Sequence, residues 1–144
     1  MDFFHKKRAS CVLIIDLESQ TYLSVFKNKY SYNIPGGKCF IDETDIECAI
    51  REIHEETGLF LETNYMSLLM AEQCEDFFVS TYLTYTWYGD ISTEEEHHVD
   101  FVPLENLLIN KNPLWVKYHK KLLNQLKKNK NDFDIMITND ENAC

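Results

Sequence analysis

Gly37-Lys38-Cys39-Phe40-Ile41-Asp42-Glu43, continued by Arg51-Glu52-Ile53-His54-Glu55-Glu56-Thr57-Gly58-Leu59, is the stretch whose reading decides this chain. Thr44 followed three residues later by Glu47 has the form of a capping box, which starts a helix. Gly58 suits the left-handed residue that ends one, so a helix is predicted from Thr44 to about Thr57. On it Glu52, Glu55 and Glu56 stand at offsets of three and four and share one face. Like charges at close range raise one another's pKa, so the cluster is costly unless a cation sits among them. Hard oxygen ligands of this kind are what Mg²⁺ takes alongside phosphates. Ile46, Ala49, Ile50 and Ile53 form an apolar stripe beside the glutamates, so one side of the helix can pack on a sheet while the next faces a cleft. The residues themselves point to magnesium-dependent chemistry on a phosphate compound.

Working outward, residues 10–15 and 21–26 are short apolar, β-branched runs joined by a polar turn and read as neighbouring strands. Asn33-Ile34-Pro35-Gly36-Gly37 is a break in which Pro35 fixes φ and the glycines allow close backbone approach. A brief strand is expected over 38–41, and further strands over 66–74, 77–88 and 99–102, with Gly89-Asp90 as a turn and a helical turn at 105–108. A last helix starts at Asn112 or Pro113 and runs to about Asn129, with Leu114, Trp115, Tyr118, Leu122 and Leu126 near one face. The order implies an α/β (α+β) fold in which a mixed β-sheet is sandwiched between helices. It forms one domain over residues 1–144, with a mobile tail after about 130.

The bulk properties bound the partners. At 144 residues the chain can bury a core without staples. No apolar run reaches bilayer length, and the first eight residues lack the apolar stretch of a secretory leader, so a cytoplasmic protein with no membrane partner is expected. Five scattered cysteines without CxxC spacing read as reduced thiols and give no zinc site. A net charge of -10 opposes nonspecific nucleic-acid binding. A small anionic ligand then needs local positive charge, which Lys38 and the implied metal supply; the basic run 117–130 reads as a solvated helix face.

Gly37, Glu43, Arg51, Glu52, Ile53, Glu55, Glu56, Gly58 and Leu59 together match the Nudix box at every fixed position, and the chain resembles the Nudix hydrolases, MutT-like members in particular. The resemblance implies the Nudix fold over roughly residues 9–128 and cleavage of a nucleoside-linked diphosphate with Mg²⁺, or Mn²⁺ as a substitute. It implies Glu55 and Glu56 as central metal ligands and Glu52 as a further ligand or as the base for the attacking water. The carbonyl of Gly36 completes the shell, and one of Glu95 and Glu96 comes from a loop across the sheet. Gly37, Glu43, Arg51 and Gly58 are structural in this pattern. Arg51 could touch phosphate, but its position resembles the family's structural ion pair, which implies pairing with Glu43 to brace the loop. Glu47 is a cap, His54 a surface residue. His97 and His98, adjacent in a strand, point to opposite faces and read as rim residues.

The box leaves the leaving group open. Tyr32-Asn33 ahead of the Pro-Gly-Gly turn is similar to the oxidised-purine nucleotide hydrolases, which makes Asn33 a base reader or simply a turn residue. Asn112 is either a second base reader, as in MutT-type enzymes, or a helix cap; asparagine suits a purine edge because it donates and accepts. Leu114 and Trp115 replace the paired aspartates of another oxidised-purine class. The expected substrate is a (d)NTP, oxidised purines included, cleaved to NMP and pyrophosphate. Dinucleoside polyphosphates, ADP-ribose, nucleotide sugars and a capped RNA end are the alternatives. A non-catalytic nucleotide-binding regulator is the rival of another class, and an isoprenoid diphosphate isomerase lacks its further motifs here. Monomer and homodimer both stay open.

Overall fold

The computed structural model describes residues 7–92 and 97–128. Strand β1 (Arg8–Asp16) is the spine, because its run of apolar residues can be buried on both faces. It pairs in parallel with β5 (Phe77–Thr84) along one edge. Its other edge is shared: β3 (Gly36–Lys38) pairs antiparallel with residues 9–11, and β2 (Thr21–Phe26) with residues 15–16. Between them the Val12 amide donates to the Pro35 carbonyl at 3.1 Å. Strand β4 (Ser67–Cys74) flanks β5, and β6 (His98–Pro103) flanks β2, giving the mixed order β4-β5-β1-β2-β6.

The two-residue period of β1 divides the core. Val12 and Ile14 face helix α1 (Asp45–Thr57), packing with Ala49, Ile53, Leu59 and Leu61. Leu13 and Ile15 face the opposite side, with Tyr22, Leu83, Leu107 and Leu126. Cys11 joins Val79, Tyr118 and Leu122 there, beneath helix α2 (Pro113–Lys128). The sheet is therefore held between two helices, as the pattern of strands and helices implies. Short 3₁₀ turns at Thr63–Tyr65 and Leu104–Leu108 complete the described fold. No described helix is long and apolar enough to cross a membrane.

Four details differ from the sequence reading. The strand expected over 38–41 lies earlier, at Gly36–Lys38, because Arg8 draws the following loop out of the sheet by donating to the carbonyls of Phe40 and Glu43. The strand expected to reach 88 stops at Thr84, whose hydroxyl accepts from the Thr86 amide and turns the chain; Tyr88 instead exchanges two backbone bonds with Phe60. On α2, Leu114 projects outward, and His119 takes a buried position between Tyr118 and Leu122. Two of the cysteines read as thiols, Cys39 and Cys48, are joined in a disulfide with a Cα–Cα distance of 5.2 Å, while Cys11 and Cys74 stay free and buried.

Candidate active site

Helix α1 begins as expected. The Thr44 hydroxyl accepts from the Glu47 amide, and the Glu47 carboxylate accepts from the Thr44 amide, closing the capping box. At the other end Gly58 has φ 81° and donates to the His54 carbonyl. Both ends of helix α1 are thus fixed by residues inside or beside the motif.

The loop that precedes it is bound to the helix by Arg51. Its Nε and Nη2 grip both oxygens of Glu43, at 3.1 and 2.6 Å, in a bidentate fork. Nη1 donates to Glu52 and Glu55 at 2.9 Å each, and Nη2 also reaches the Lys38 carbonyl at 3.0 Å. The guanidinium lies 3.9 Å from the centre of the Phe40 ring. Every donor direction of Arg51 that these contacts use goes to protein, which is the geometry of a brace. The hydrogen bond to Arg51 is the main cause that holds the Glu43 carboxyl below its ordinary pKa. Arg8, at the start of β1, adds an ion pair to Asp45 and pins the same loop from the sheet side. The sequence reading missed Arg8, since nothing local to 6–8 points to residues 37 positions away.

Glu56 stands apart from its neighbours. One of its oxygens accepts from the Gly36 amide at 2.7 Å. Burial is the main cause that pushes its pKa up to about 7; the Gly36 amide opposes the shift, and the charges of Glu52 and Glu55 reinforce it. Gly36 is required by space, since a Cβ there would collide with the Ser10 carbonyl, whereas a Cβ on Gly37 would displace the Glu52 carboxylate. Two carboxylates, Glu52 and Glu56, thus lie against the glycine backbone with Glu55 beside them, and the partly buried Glu56 resists ionising among its neighbours. A hard divalent cation fits this donor set, since it would relieve that repulsion with oxygen ligands alone. Glu95 and Glu96 lie outside the described residues. A second cluster, Cys39, Glu43 and Cys48, holds its sulfurs in the disulfide and its carboxylate on Arg51.

Two cavities meet here. The first, of about 280 Å³, lies between the sheet and α2 and is walled by Phe77, Val79, Trp115 and Tyr118, with Lys38 at its edge 5.6 Å from the Phe77 ring centre. The second, of about 320 Å³, contains Glu56 together with Lys27, Lys111 and His97. Asn33, Ile34 and Gly36 line both. One cavity is aromatic and apolar, the other carries carboxylate and lysines, and a single turn of backbone separates them. Lys27 and Lys111 were not singled out from the sequence. In a chain of net charge -10, two lysines on different loops give no local signal until the fold brings them to one cleft.

Asn33 and Asn112 are placed differently. Asn33 lines both cavities. The Asn112 carboxamide works as a cap: Oδ1 accepts from the Leu114 amide at 3.0 Å and Nδ2 donates to Glu75 at 2.6 Å. His54 is exposed and stacks on Phe60 at 4.2 Å. His98 is exposed at the start of β6.

Known proteins bear on this geometry. The NUDIX domain matches residues 5–126. This chain belongs to the Nudix family. A structure from work on MutT of Aliivibrio salmonicida and Vibrio cholerae superposes with a TM-score of 0.68 at 15% identity, covering 83% of this chain and 98% of that one. The MutT protein of Bacillus halodurans gives a TM-score of 0.59 at 19% identity, covering 76% of this chain and 78% of that one. At such identities the likeness is one of fold, and the fold is the Nudix fold. Among curated proteins, mRNA decapping complex subunit 2 of Schizosaccharomyces pombe is 35% identical over 51 residues. That match covers 35% of this chain and only 7% of the relative's length.

Proposed function

We propose that this Nudix domain is a pyrophosphohydrolase of nucleoside triphosphates that releases a nucleoside monophosphate and pyrophosphate. The observation that carries the reading is the pair of cavities sharing Asn33, Ile34 and Gly36. A nucleotide has an apolar, stackable end and an anionic end, and the site offers one cavity of each kind at adjoining positions. The aromatic cavity would take the base and the lysine-lined cleft the phosphates, with the scissile linkage beside Glu56.

Glu52, Glu55 and Glu56 would hold a divalent ion, Mg²⁺ by preference. When bound, such an ion neutralises phosphate charge and lowers the pKa of a coordinated water. The chain's own residues do the rest. Lys27 and Lys111 position phosphate oxygens, the Arg51–Glu43 fork keeps the Gly36–Lys38 strand against the glutamate face, and Gly36 leaves room for the substrate to approach the backbone. Glu56, with one oxygen on the Gly36 amide, would hold the ion together with Glu55, and Glu52 would be a further ligand or the base for the attacking water. Oxidised purine nucleotides are the preferred candidates by the resemblance carried by Tyr32-Asn33, and Asn33, whose Oδ1 accepts from Asn110, keeps Nδ2 to donate to a purine acceptor.

The decapping relative favours one second reading, a capped RNA end as substrate. The test incubates the protein with Mg²⁺ and canonical and oxidised dNTPs, ADP-ribose, dinucleoside polyphosphates and capped RNA. Pyrophosphate and monophosphate are expected from a triphosphate, with Glu56→Gln lowering the rate by at least about 10²-fold, since even the outer partners of metal ligands are worth about 10–100-fold. Turnover of capped RNA alone would replace this reading. No turnover of any of them, with Mg²⁺ still bound, would leave a binding role.

A further inference from the structure

A buried imidazole in the aromatic cavity has no role in the reading above. His119 on α2 is buried, lines the cavity, and sits with its ring 6.0 Å from that of Trp115. Its Nδ1 lies 2.7 Å from the Leu107 carbonyl oxygen. A carbonyl only accepts, so Nδ1 carries the proton. Burial, its largest influence, holds the ring below its ordinary pKa and so keeps it neutral. Nε2 is then a bare lone pair. It has no hydrogen-bond partner among the described residues, and His119 is one of the residues that line the cavity.

The complementary group is Asn33, and its orientation follows from hydrogen-bond chemistry. The Asn112 amide donates to Asn110 Oδ1 at 2.9 Å, which leaves Asn110 Nδ2 to donate to Asn33 Oδ1 at 3.1 Å. Asn33 is left with Nδ2, a donor with no partner among the described residues, on a residue lining the same cavity. One wall of the cavity therefore presents an acceptor and the segment at its mouth a donor, between aromatic side chains.

We infer that His119 is a specificity-determining residue: its Nε2 accepts a hydrogen bond from an N–H on the nucleobase, while Asn33 Nδ2 donates to an acceptor of the same base. The cavity then selects bases that carry a ring N–H or an amino group and disfavours those without one. This rests on the nucleotide reading above. An unpaired acceptor left in an apolar wall is costly, which is why a site built to meet an N–H rejects the analogue lacking it.

The experiment compares the best triphosphate substrate with purine riboside triphosphate, which has the same sugar and phosphates and no N–H on its base. The wild-type protein is expected to show a KM about 10-fold or more lower for the former, the scale of one buried hydrogen bond. In His119→Phe the KM ratio of the two nucleotides should fall to near one. His119→Gln, which keeps an amide donor for Leu107 and a carbonyl acceptor for the base, should restore part of it. The ratio is measured on one variant at a time, so partial unfolding cancels. A wild-type ratio near one, or a His119→Phe ratio equal to a large wild-type one, overturns the role of His119 alone. Hydrolysis of no nucleotide overturns the nucleotide reading instead.

Discussion

Glu56 shows what a single side chain can report. Its folded pKa of about 7 stands above the ordinary 4.5, because burial outweighs the Gly36 hydrogen bond. Between those values the native state holds a proton that the unfolded chain has released, so stability falls as pH rises through that window and levels off above it. The displacement corresponds to roughly 3 kcal/mol at most. In chelator, Glu56→Gln is therefore expected to be more stable than the wild type at pH 8, with the gap closing by pH 4.5. Added Mg²⁺ should stabilise the wild type at pH 8 and the variant much less. Denaturant midpoints at the two pH values measure this, and a gap that does not change with pH would remove Glu56 as the group responsible. That the box glutamates would crowd together was legible from their spacing. Which of them meets the backbone was not, since this depends on Gly36 arriving from a strand 20 residues earlier in sequence.

At the scale of elements, helix α1 was readable nearly to the residue because its signals are local: a capping box at one end, a glycine at the other and an apolar stripe between. Strand β3 and the end of β5 were less so, because long-range partners decide them, Arg8 for the first and the Phe60 backbone bridge near the second. His119 was missed for a related reason: Leu114 and His119 exchange the roles their hydropathy suggests, and only the Leu107 carbonyl makes a buried imidazole tolerable. The Cys39–Cys48 bond is another long-range term. Both cysteines occupy variable positions of the Nudix box and link the loop to the first turns of α1 across nine residues. A loop of this length is worth on the order of 2–3 kcal/mol of unfolded-state entropy. Full reduction should then lower the Tm by roughly 5–10 °C for a chain of this size, and Cys39→Ser/Cys48→Ala should be indifferent to reductant. An unchanged wild-type Tm, with thiol counting to verify reduction, would show that the bond stabilises nothing.

At the scale of the whole molecule, a chain of net charge -10 that acts on the proposed triphosphate has to attract a polyanion to one place on its surface. Two electrostatic effects compete: repulsion from acidic residues spread over the surface, and attraction by Lys27 and Lys111 lining the cleft that holds Glu56. At physiological ionic strength the Debye length is about 8 Å, so most of the distant charge is screened while groups touching the substrate are screened far less. Local attraction should win, and the protein should need no net positive charge to bind a triphosphate. Replacing both lysines by methionine keeps their aliphatic bulk and removes the charge; it is expected to raise KM by roughly 10-fold or more, from the loss of charge-assisted contacts. The salt dependence separates the two effects. In the wild type, added KCl should lower kcat/KM modestly as the lysine contacts weaken. In the double variant the repulsion weighs more against the attraction left by Lys38 and the metal, so added KCl should lower kcat/KM less than in the wild type, or raise it. A wild-type rate that climbs with salt, or a double variant with an unaltered KM, would mean the phosphates are held elsewhere than in this cleft.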